Sequence, residues 1–179
     1  MKPVPTACAA IMLAAFGASH LNAQQSCSGT TTCTTTHSVT VTVGGLISLA
    51  LSSSATGLTT PSATNISGGA TLQDPGPSLT ISANQAWTVN IRSLTPTNWN
   101  YAGSAGGVKP IRELAYSTSA GGVYTPITNT DALFISGDAA ASGLVQASFF
   151  RTTWVPGFGA PSNAPGVYSQ QIAFTITSP

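Results

Sequence analysis

Charged side chains are scarce in this chain. Only 5% of its 179 residues are Asp, Glu, Lys or Arg, whereas about a quarter is usual. The net charge of +1 provides no basic surface of the kind that binds nucleic acid, so we expect no nucleic-acid partner. Histidine and cysteine are also rare, with two and three copies. The side chains that most often perform catalysis or hold metal ions are therefore few.

The few candidate catalytic side chains do not match known catalytic arrangements. A Ser-His-Asp triad needs a histidine held by a rigid scaffold, and His37 lies at the edge of a threonine-rich stretch. The chain contains no Gly-x-Ser-x-Gly motif. Asp74, Asp131 and Asp138 occupy ordinary turn and strand-end positions and not a calcium-loop pattern. We predict a protein that is not an enzyme, with no catalytic residues, no metal site and no cofactor.

Small hydroxyl residues, glycine and proline dominate what is present. The chain has 26 Thr, 22 Ser, 18 Gly and 12 Pro, all of them poor helix formers. The hydrophobic content of 42% is too high for an ordinary disordered chain. This composition predicts an exported domain of the all-β class.

The amino terminus has the order of a secretory signal. Lys2 precedes an apolar run, residues 7–16, and small residues follow up to Ala23. We predict cleavage after Ala23, with Ser19 as the alternative. No later stretch approaches 18 apolar residues, so we expect no membrane span in the mature chain and a location in the periplasm, at the cell surface or outside the cell. The predicted organisation is a signal peptide at 1–23, a Thr/Ser-rich leader at 24–37 and one β-sandwich domain at 38–179.

Two cysteines remain after the predicted cleavage. Cys27 and Cys33 are close enough in an exported chain to form a disulfide within the leader. Pairing between two chains and a metal site are the competing interpretations, and the second lacks ligands because only His37 is near.

Apolar residues alternate with polar residues at period two through most of the remaining chain. This pattern is typical of half-buried strands, and turn residues separate the runs. The predicted strands cover residues 38–43, 46–51, 79–82, 87–92, 111–117, 132–136, 144–155 and 168–177. Seven to nine antiparallel strands at this spacing predict a β-sandwich.

Two groups of side chains could lie at the surface. Trp99 and Tyr101 are flanked by polar residues and could form an aromatic platform that stacks sugars; alternatively they pack beneath the loop that follows. Lys109, Arg112 and Glu113 form a small charged cluster, which we expect to be a solvated strand end.

The carboxyl half resembles the pilin-like domain of the spore coat protein U family, which is related to archaic chaperone–usher pilins. The best match is residues 165–177, where Gly166 and Tyr168 precede a polar pair and an alternating last strand. The stretch from Leu114 through Tyr124 also resembles the middle hairpin of that family. The resemblance covers about the last 70 residues. Residues 79–91 are also similar to uncharacterised exported bacterial β-proteins.

The resemblance implies an immunoglobulin-like sandwich that lacks one strand. Such a domain is completed by β-strand addition, and the implied partners are further copies of the chain or a periplasmic chaperone. The groove would be lined by Tyr168, Ile172, Phe174 and Ile176. The candidate completing strand carries Val39, Val41 and Val43, which could serve their own domain or a neighbouring one.

Two functions follow from the sequence. The first is a secreted structural or surface protein, a pilin-like subunit that assembles through sheet edges. The alternative is a monomeric extracellular module that binds a glycan or a protein through Trp99 and Tyr101.

Overall fold

Antiparallel strands form most of the regular structure in residues 38–179, the part of the chain that the computed structural model describes. The predicted all-β class is confirmed. The strands are β1 (Ile47–Leu51), β2 (Ala70–Pro75), β3 (Leu79–Ala83), β4 (Trp87–Ser93), β5 (Asn100–Ala102), β6 (Leu114–Ser117), β7 (Thr125–Pro126), β8 (Ala132–Gly137), β9 (Ala141–Gln146), β10 (Phe149–Trp154), β11 (Val167–Ser169) and β12 (Ile172–Thr177). The same described residues also contain one short helix, α1 (Ala63–Gly68), and two 3-10 turns at Ile111–Glu113 and Pro161–Asn163. Residues 43–179 form one compact unit by themselves.

Two successive strands, β3 and β4, form the centre of the first pair of sheets. β3 pairs with β1 on one side and β9 on the other, while β4 pairs with β12 and β8. All of these pairings are antiparallel. Ile47 at the start of β1 lies opposite Ala83, Thr177 at the end of β12 lies opposite Thr88, and β1 and β12 contact each other.

A second sheet has the order β2-β10-β6-β7, and β5 and β11 form a separate two-stranded ribbon. The core contains the inward side chains of β3 and β4 together with those of β6 and β10. It includes Leu79, Ile81, Trp87, Val89, Ile91, Leu114, Tyr116 and Phe150, all of them buried. Alternate residues of β4 are buried, as the period-two pattern predicts.

The strand predicted at residues 38–43 is absent, and no strand begins before Ile47 in the described residues. A strand needs partners for its backbone N–H and C=O groups, and an alternating sequence cannot supply them.

Two long predicted strands are each divided. The run 144–155 is interrupted at Ala147 and Ser148, where Gly76 N–H donates to the Ser148 carbonyl and the Ser148 hydroxyl donates to the Pro77 carbonyl. These bonds hold the connection at which the chain passes from β9 in one sheet to β10 in another. The run 168–177 is divided at Gln170 and Gln171, because β11 pairs with β5 and β12 pairs with β4. Divisions of this kind, together with unpredicted β2, β5 and β7, raise the number of strands in residues 38–179 to twelve.

Helix α1 was not predicted. Ser62 caps it, and a reciprocal pair of hydrogen bonds joins Ser62 and Asn65. The signal is weak in the sequence because Asn65 stands where a Glu or Gln is usual.

Candidate binding cavity

A cavity of about 810 Å³ lies between residues 53–61 and the strands β10, β11 and β12. Its wall is mostly apolar and aromatic, formed by Leu51, Leu58, Leu94, Trp99, Leu114, Phe150, Trp154, Tyr168, Ile172 and Phe174. Polar side chains at the cavity include Lys109, Thr152 and Gln170. Volumes of this size are typical of sites that enclose a small organic molecule.

The last strand forms one border of the cavity. β12 pairs with β4 through its full length, and no described strand pairs with its other edge. Ile172, Phe174 and Ile176 point to the core side, but each is only partly buried. Phe174 makes an edge-on contact with Phe134, with 5.3 Å between ring centroids. β12 is thus a sheet edge with an incompletely covered apolar face.

The four residues expected to line a groove are mostly brought together. Tyr168, Ile172 and Phe174 line the cavity, whereas Ile176 packs against the core beyond it. Tyr168 belongs to β11 and not to the last strand as the alternation suggested. Its hydroxyl donates to the Ala164 carbonyl at 2.9 Å, and burial is the main cause that raises its pKa.

Residues 53–61 close part of the cavity without forming regular structure. Thr59 attaches this segment to β2, since its backbone N–H donates to Asp74 Oδ2 at 3.1 Å and its hydroxyl donates to the other carboxylate oxygen. Asp74 is buried, and it fixes Thr59 in addition to occupying the turn position expected from the sequence.

The burial of Lys109 contradicts the expectation that Lys109, Arg112 and Glu113 form a solvated charged cluster. Its side chain is 0% exposed, and Nζ lies 2.7 Å from both Glu113 Oε2 and the Thr153 carbonyl oxygen. Nζ also lies 3.9 Å from the centroid of the Trp154 ring. Burial lowers the pKa of Lys109, and the hydrogen bond and charge of Glu113 partly oppose that shift. The sequence offered one signal, the opposite charge four residues later, but a solvated helix or strand end has the same spacing.

Several buried polar atoms near the cavity have no hydrogen-bond partner within the described residues. They include Thr152 Oγ1, Trp154 Nε1 and both polar atoms of the Gln170 side chain. Thr152 is only 2% exposed. Sequence reasoning missed Thr152 and Gln170, because nothing in a strand pattern distinguishes a threonine that faces a cavity from one that faces solvent.

Trp99 and Tyr101 do not form a surface platform, one of the two alternatives that the sequence left open. Trp99 is buried, its Nε1 donates to the Pro110 carbonyl at 3.1 Å, and its ring lines the cavity. Tyr101 lies beside Tyr168 with 5.0 Å between ring centroids, and its hydroxyl donates to the Pro165 carbonyl at 2.7 Å. The other alternative, packing beneath the loop that follows, describes both residues: Trp99 is buried and bonded to Pro110, and the Tyr101 hydroxyl also accepts from Ala105 N–H.

Gly166, the glycine of the family-like ending, lies against the Tyr101 ring. A Cβ atom there would lie 2.8 Å from the Ala102 carbonyl oxygen and would also collide with that ring. Only a residue without a side chain fits between β5 and the chain that enters β11.

Val39, Val41 and Val43 do not lie in a strand. Their exposed fractions are 86%, 84% and 73%. The Asn84 side chain donates to the Gly44 carbonyl and accepts from Leu46 N–H, just after this segment. Cys27 and Cys33, with the predicted disulfide, lie outside the described residues, as does the predicted cleavage site.

Within residues 38–179, no helix is long and apolar enough to cross a membrane. No protein-family model and no curated protein matches the sequence.

Proposed function

We propose that this protein is an exported, non-enzymatic structural subunit of the cell surface, with an immunoglobulin-like, pilin-like sandwich that is completed by β-strand addition along β12. The single observation that carries the proposal is the free edge of β12, with a partly covered apolar face beside a large cavity. Natural proteins rarely leave such an edge uncovered, since it invites pairing with another strand.

The acceptor would gain stability from a strand placed at this edge. Fully burying a side chain of the size of Ile172, Phe174 or Ile176 stabilises the folded state by about 1.5–3 kcal/mol. Each of the three is only partly buried, so an added strand that covers them would contribute part of that stabilisation. An added strand would also provide partners for the free backbone groups of β12.

The same chain supplies a suitable donor. Val39, Val41 and Val43 alternate with Thr40 and Thr42, so a strand formed here would have one apolar and one polar face. All three valines are more than two-thirds exposed, and the described residues before Ile47 pair with no strand. The valine segment, residues 38–43, can therefore complete its own domain or that of a neighbouring copy. We favour self-completion in the monomer, with assembly by exchange of the same segment.

Before assembly the free edge needs protection. A periplasmic chaperone that lends a strand to β12 would provide it, because the same edge that pairs with a donor strand also promotes aggregation.

Replacing the three valines tests the proposal. One variant carries Val39→Ser, Val41→Ser and Val43→Ser; the matched control carries Thr40→Ser and Thr42→Ser on the opposite face. Deletion of residues 24–43 is a third variant, which retains the contact of Gly44 with Asn84. Each protein is run on a gel with and without heating, and its urea unfolding is measured.

Exchange between chains predicts a heat-sensitive ladder that the valine variant loses and the threonine control keeps. Self-completion predicts a monomer whose free energy of unfolding falls in the valine variant and in the deletion. Strand completion by this segment would be wrong if no protein forms a ladder and if the valine variant and the deletion unfold with the same free energy as the unsubstituted protein.

A monomeric binding module is the second candidate. The position of Trp99 in the wall of a cavity large enough for a small ligand favours it over a surface platform. A binding module should remain monomeric in the same gel assay and, unlike a self-completed domain, should keep its free energy of unfolding in the valine variant and in the deletion.

A further inference from the structure

The side of the cavity that is formed by the core strands presents apolar surface. Leu114, Phe150 and Phe174 line it there, and each lies in the hydrophobic core or packs against it. The rings of Trp99 and Trp154 line the same cavity. Such a wall favours molecules whose own surface is apolar, because contact removes apolar area from water on both sides.

The polar side chains behind this wall do not offer their polar atoms to the cavity. Thr152 Oγ1, Trp154 Nε1 and both polar atoms of the Gln170 side chain have almost no accessible surface. The Lys109 side chain is 0% exposed, and its ammonium is held by Glu113. A charged group inside the cavity would therefore lose its hydration without gaining a partner from these side chains.

The polar side chains that remain accessible belong to exposed residues around the cavity. They are Ser169, Gln171 and most of the serines and threonines of residues 53–61. Because exposed residues face solvent, the cavity has a polar border and an apolar interior.

Hydrogen bonds attach residues 53–61 to the rest of the domain near the two ends of the segment. Ser52 and Ser78 form two bonds of 2.9 Å at one end, and Thr59 bonds to Asp74 at the other. Between these attachments the segment forms hydrogen bonds only within itself, in the part of the chain that the structure describes. Its middle can therefore move aside without breaking a hydrogen bond to either sheet, which gives a ligand a route into the cavity.

The volume of the cavity limits the size of the ligand. A cavity of about 150 Å³ that is lined by aliphatic and aromatic side chains accommodates benzene. The cavity of this protein measures about 810 Å³, so it can hold a molecule with several rings or a hydrocarbon chain of similar bulk.

We infer that the cavity binds an uncharged, apolar small molecule, which enters past residues 53–61 and lies against the aromatic and aliphatic side chains of the core. The inference rests on the second candidate function, the binding module, and names its class of ligand. It does not require strand addition.

Two fluorescent probes with the same ring system test the inference. N-phenyl-naphthylamine is uncharged, whereas anilinonaphthalenesulfonate carries a sulfonate on the same rings, and both become brighter in apolar surroundings. Each probe is titrated into the exported protein and into the protein that lacks residues 24–43. The deletion removes the exposed valines, so it also shows whether a probe binds to them and not to the cavity.

Two pairs of variants test the location of the site. Leu58→Glu places a charge in the wall of the cavity, and Leu133→Glu makes the same change at an exposed leucine of β8 that does not line it. Ile172→Glu and Ala173→Glu change neighbouring residues of β12, of which only Ile172 lines the cavity. Because Leu58 lies outside regular structure, the first pair keeps the test valid if Ile172→Glu does not fold.

We expect the uncharged probe to bind saturably and the sulfonate to bind about tenfold more weakly or worse. Leu58→Glu and Ile172→Glu should each weaken binding of the uncharged probe by about tenfold or more, because one leucine-sized apolar contact contributes at least that factor. The two control variants should bind normally. The deletion should still bind, and it should bind more tightly if residues 38–43 compete for the cavity.

Absence of saturation, equal binding of the two probes, loss of binding in the deletion, or equal effects of Leu58→Glu and Leu133→Glu would overturn the inference. A protein that stays monomeric, keeps its stability in the valine variant and does not bind the uncharged probe would overturn the apolar ligand and leave the binding module standing. The ladder and unfolding measurements involve no probe, so strand completion and this inference fail separately.

Discussion

Lys109 provides the sharpest test of how the cavity is built. Lys109→Met keeps the length of the side chain and removes its charge. The change breaks the contact with Glu113 Oε2, leaves the Thr153 carbonyl without its donor and removes the cation from the Trp154 ring.

The expected loss is large because Glu113 remains. At 2.7 Å and an effective dielectric constant of 20, the attraction between the two charges is about 6 kcal/mol, which desolvation of both groups partly offsets. Removing one partner of a buried pair typically costs about 3–5 kcal/mol. We expect Lys109→Met to lower the free energy of unfolding by about 3 kcal/mol or more, less than the upper limit because the Glu113 side chain is 14% exposed.

Urea unfolding of a double-mutant cycle measures this effect. Lys109→Met combined with Glu113→Gln removes both charges, so the double variant should recover most of the loss, and the coupling between the two positions should exceed about 2 kcal/mol. The pH dependence gives an independent check. The pKa of Lys109 in the folded protein is below its ordinary value of 10.5, so the unfolded chain binds the proton more tightly. Stability should therefore rise with pH as 10.5 is approached, and it should rise less in Lys109→Met.

A loss below about 1 kcal/mol for Lys109→Met would refute this reasoning. That value is typical of exposed ion pairs, and it would place Lys109 in solvent, as the sequence alone suggested.

Three other predictions can be tested by single substitutions. Burial raises the pKa of Tyr116 above its ordinary value of 10.0, so the folded state holds this proton more tightly; stability should fall as pH rises above about 10, and Tyr116→Phe should reduce that fall in a series of urea titrations. Gly166→Ala should destabilise by about 1–3 kcal/mol because its Cβ meets the carbonyl of β5, whereas Gly159→Ala, with nothing within 4 Å, should change the thermal midpoint little; equal midpoints would contradict the close approach. Cys27→Ser should leave the domain folded, because the loop to Cys33 is short. Closing it stabilises the folded state by less than the roughly 3 kcal/mol expected for a 15-residue loop. A reducible dimer of the unsubstituted protein in non-reducing electrophoresis would show that the cysteines pair between chains.

The central strands were predictable because their pattern and their environment agree. In β3 and β4, Leu79, Ile81, Val89 and Ile91 alternate with polar residues and are fully or almost fully buried, so periodicity was enough to find them. Valines at 39, 41 and 43 have the same periodicity without a described pairing partner, and the prediction of a strand failed there. Local pattern indicates which residues suit a strand, but the backbone partner comes from elsewhere in the chain.

The candidate site was predictable only in part. The alternation at the carboxyl end placed Ile172 and Phe174 on one face, and the family resemblance implied that this face lines a groove; both residues line the cavity. Lys109 and Thr152 were missed because their role depends on which neighbours close around them. A lysine four residues before a glutamate has the same sequence pattern whether it is solvated or buried.

By itself, the sequence determined the all-β class, most of the strands and the apolar character of the last one, because these depend on composition and on a period of two along the chain. Tertiary structure alone decided that β9 and β10 belong to different sheets and that β12 has a free edge. It also decided that Lys109, Thr152 and Gln170 meet at one cavity. These features arise from contacts between residues that are distant in the chain, and such contacts are fixed when the whole domain packs and not by the pattern of any single segment.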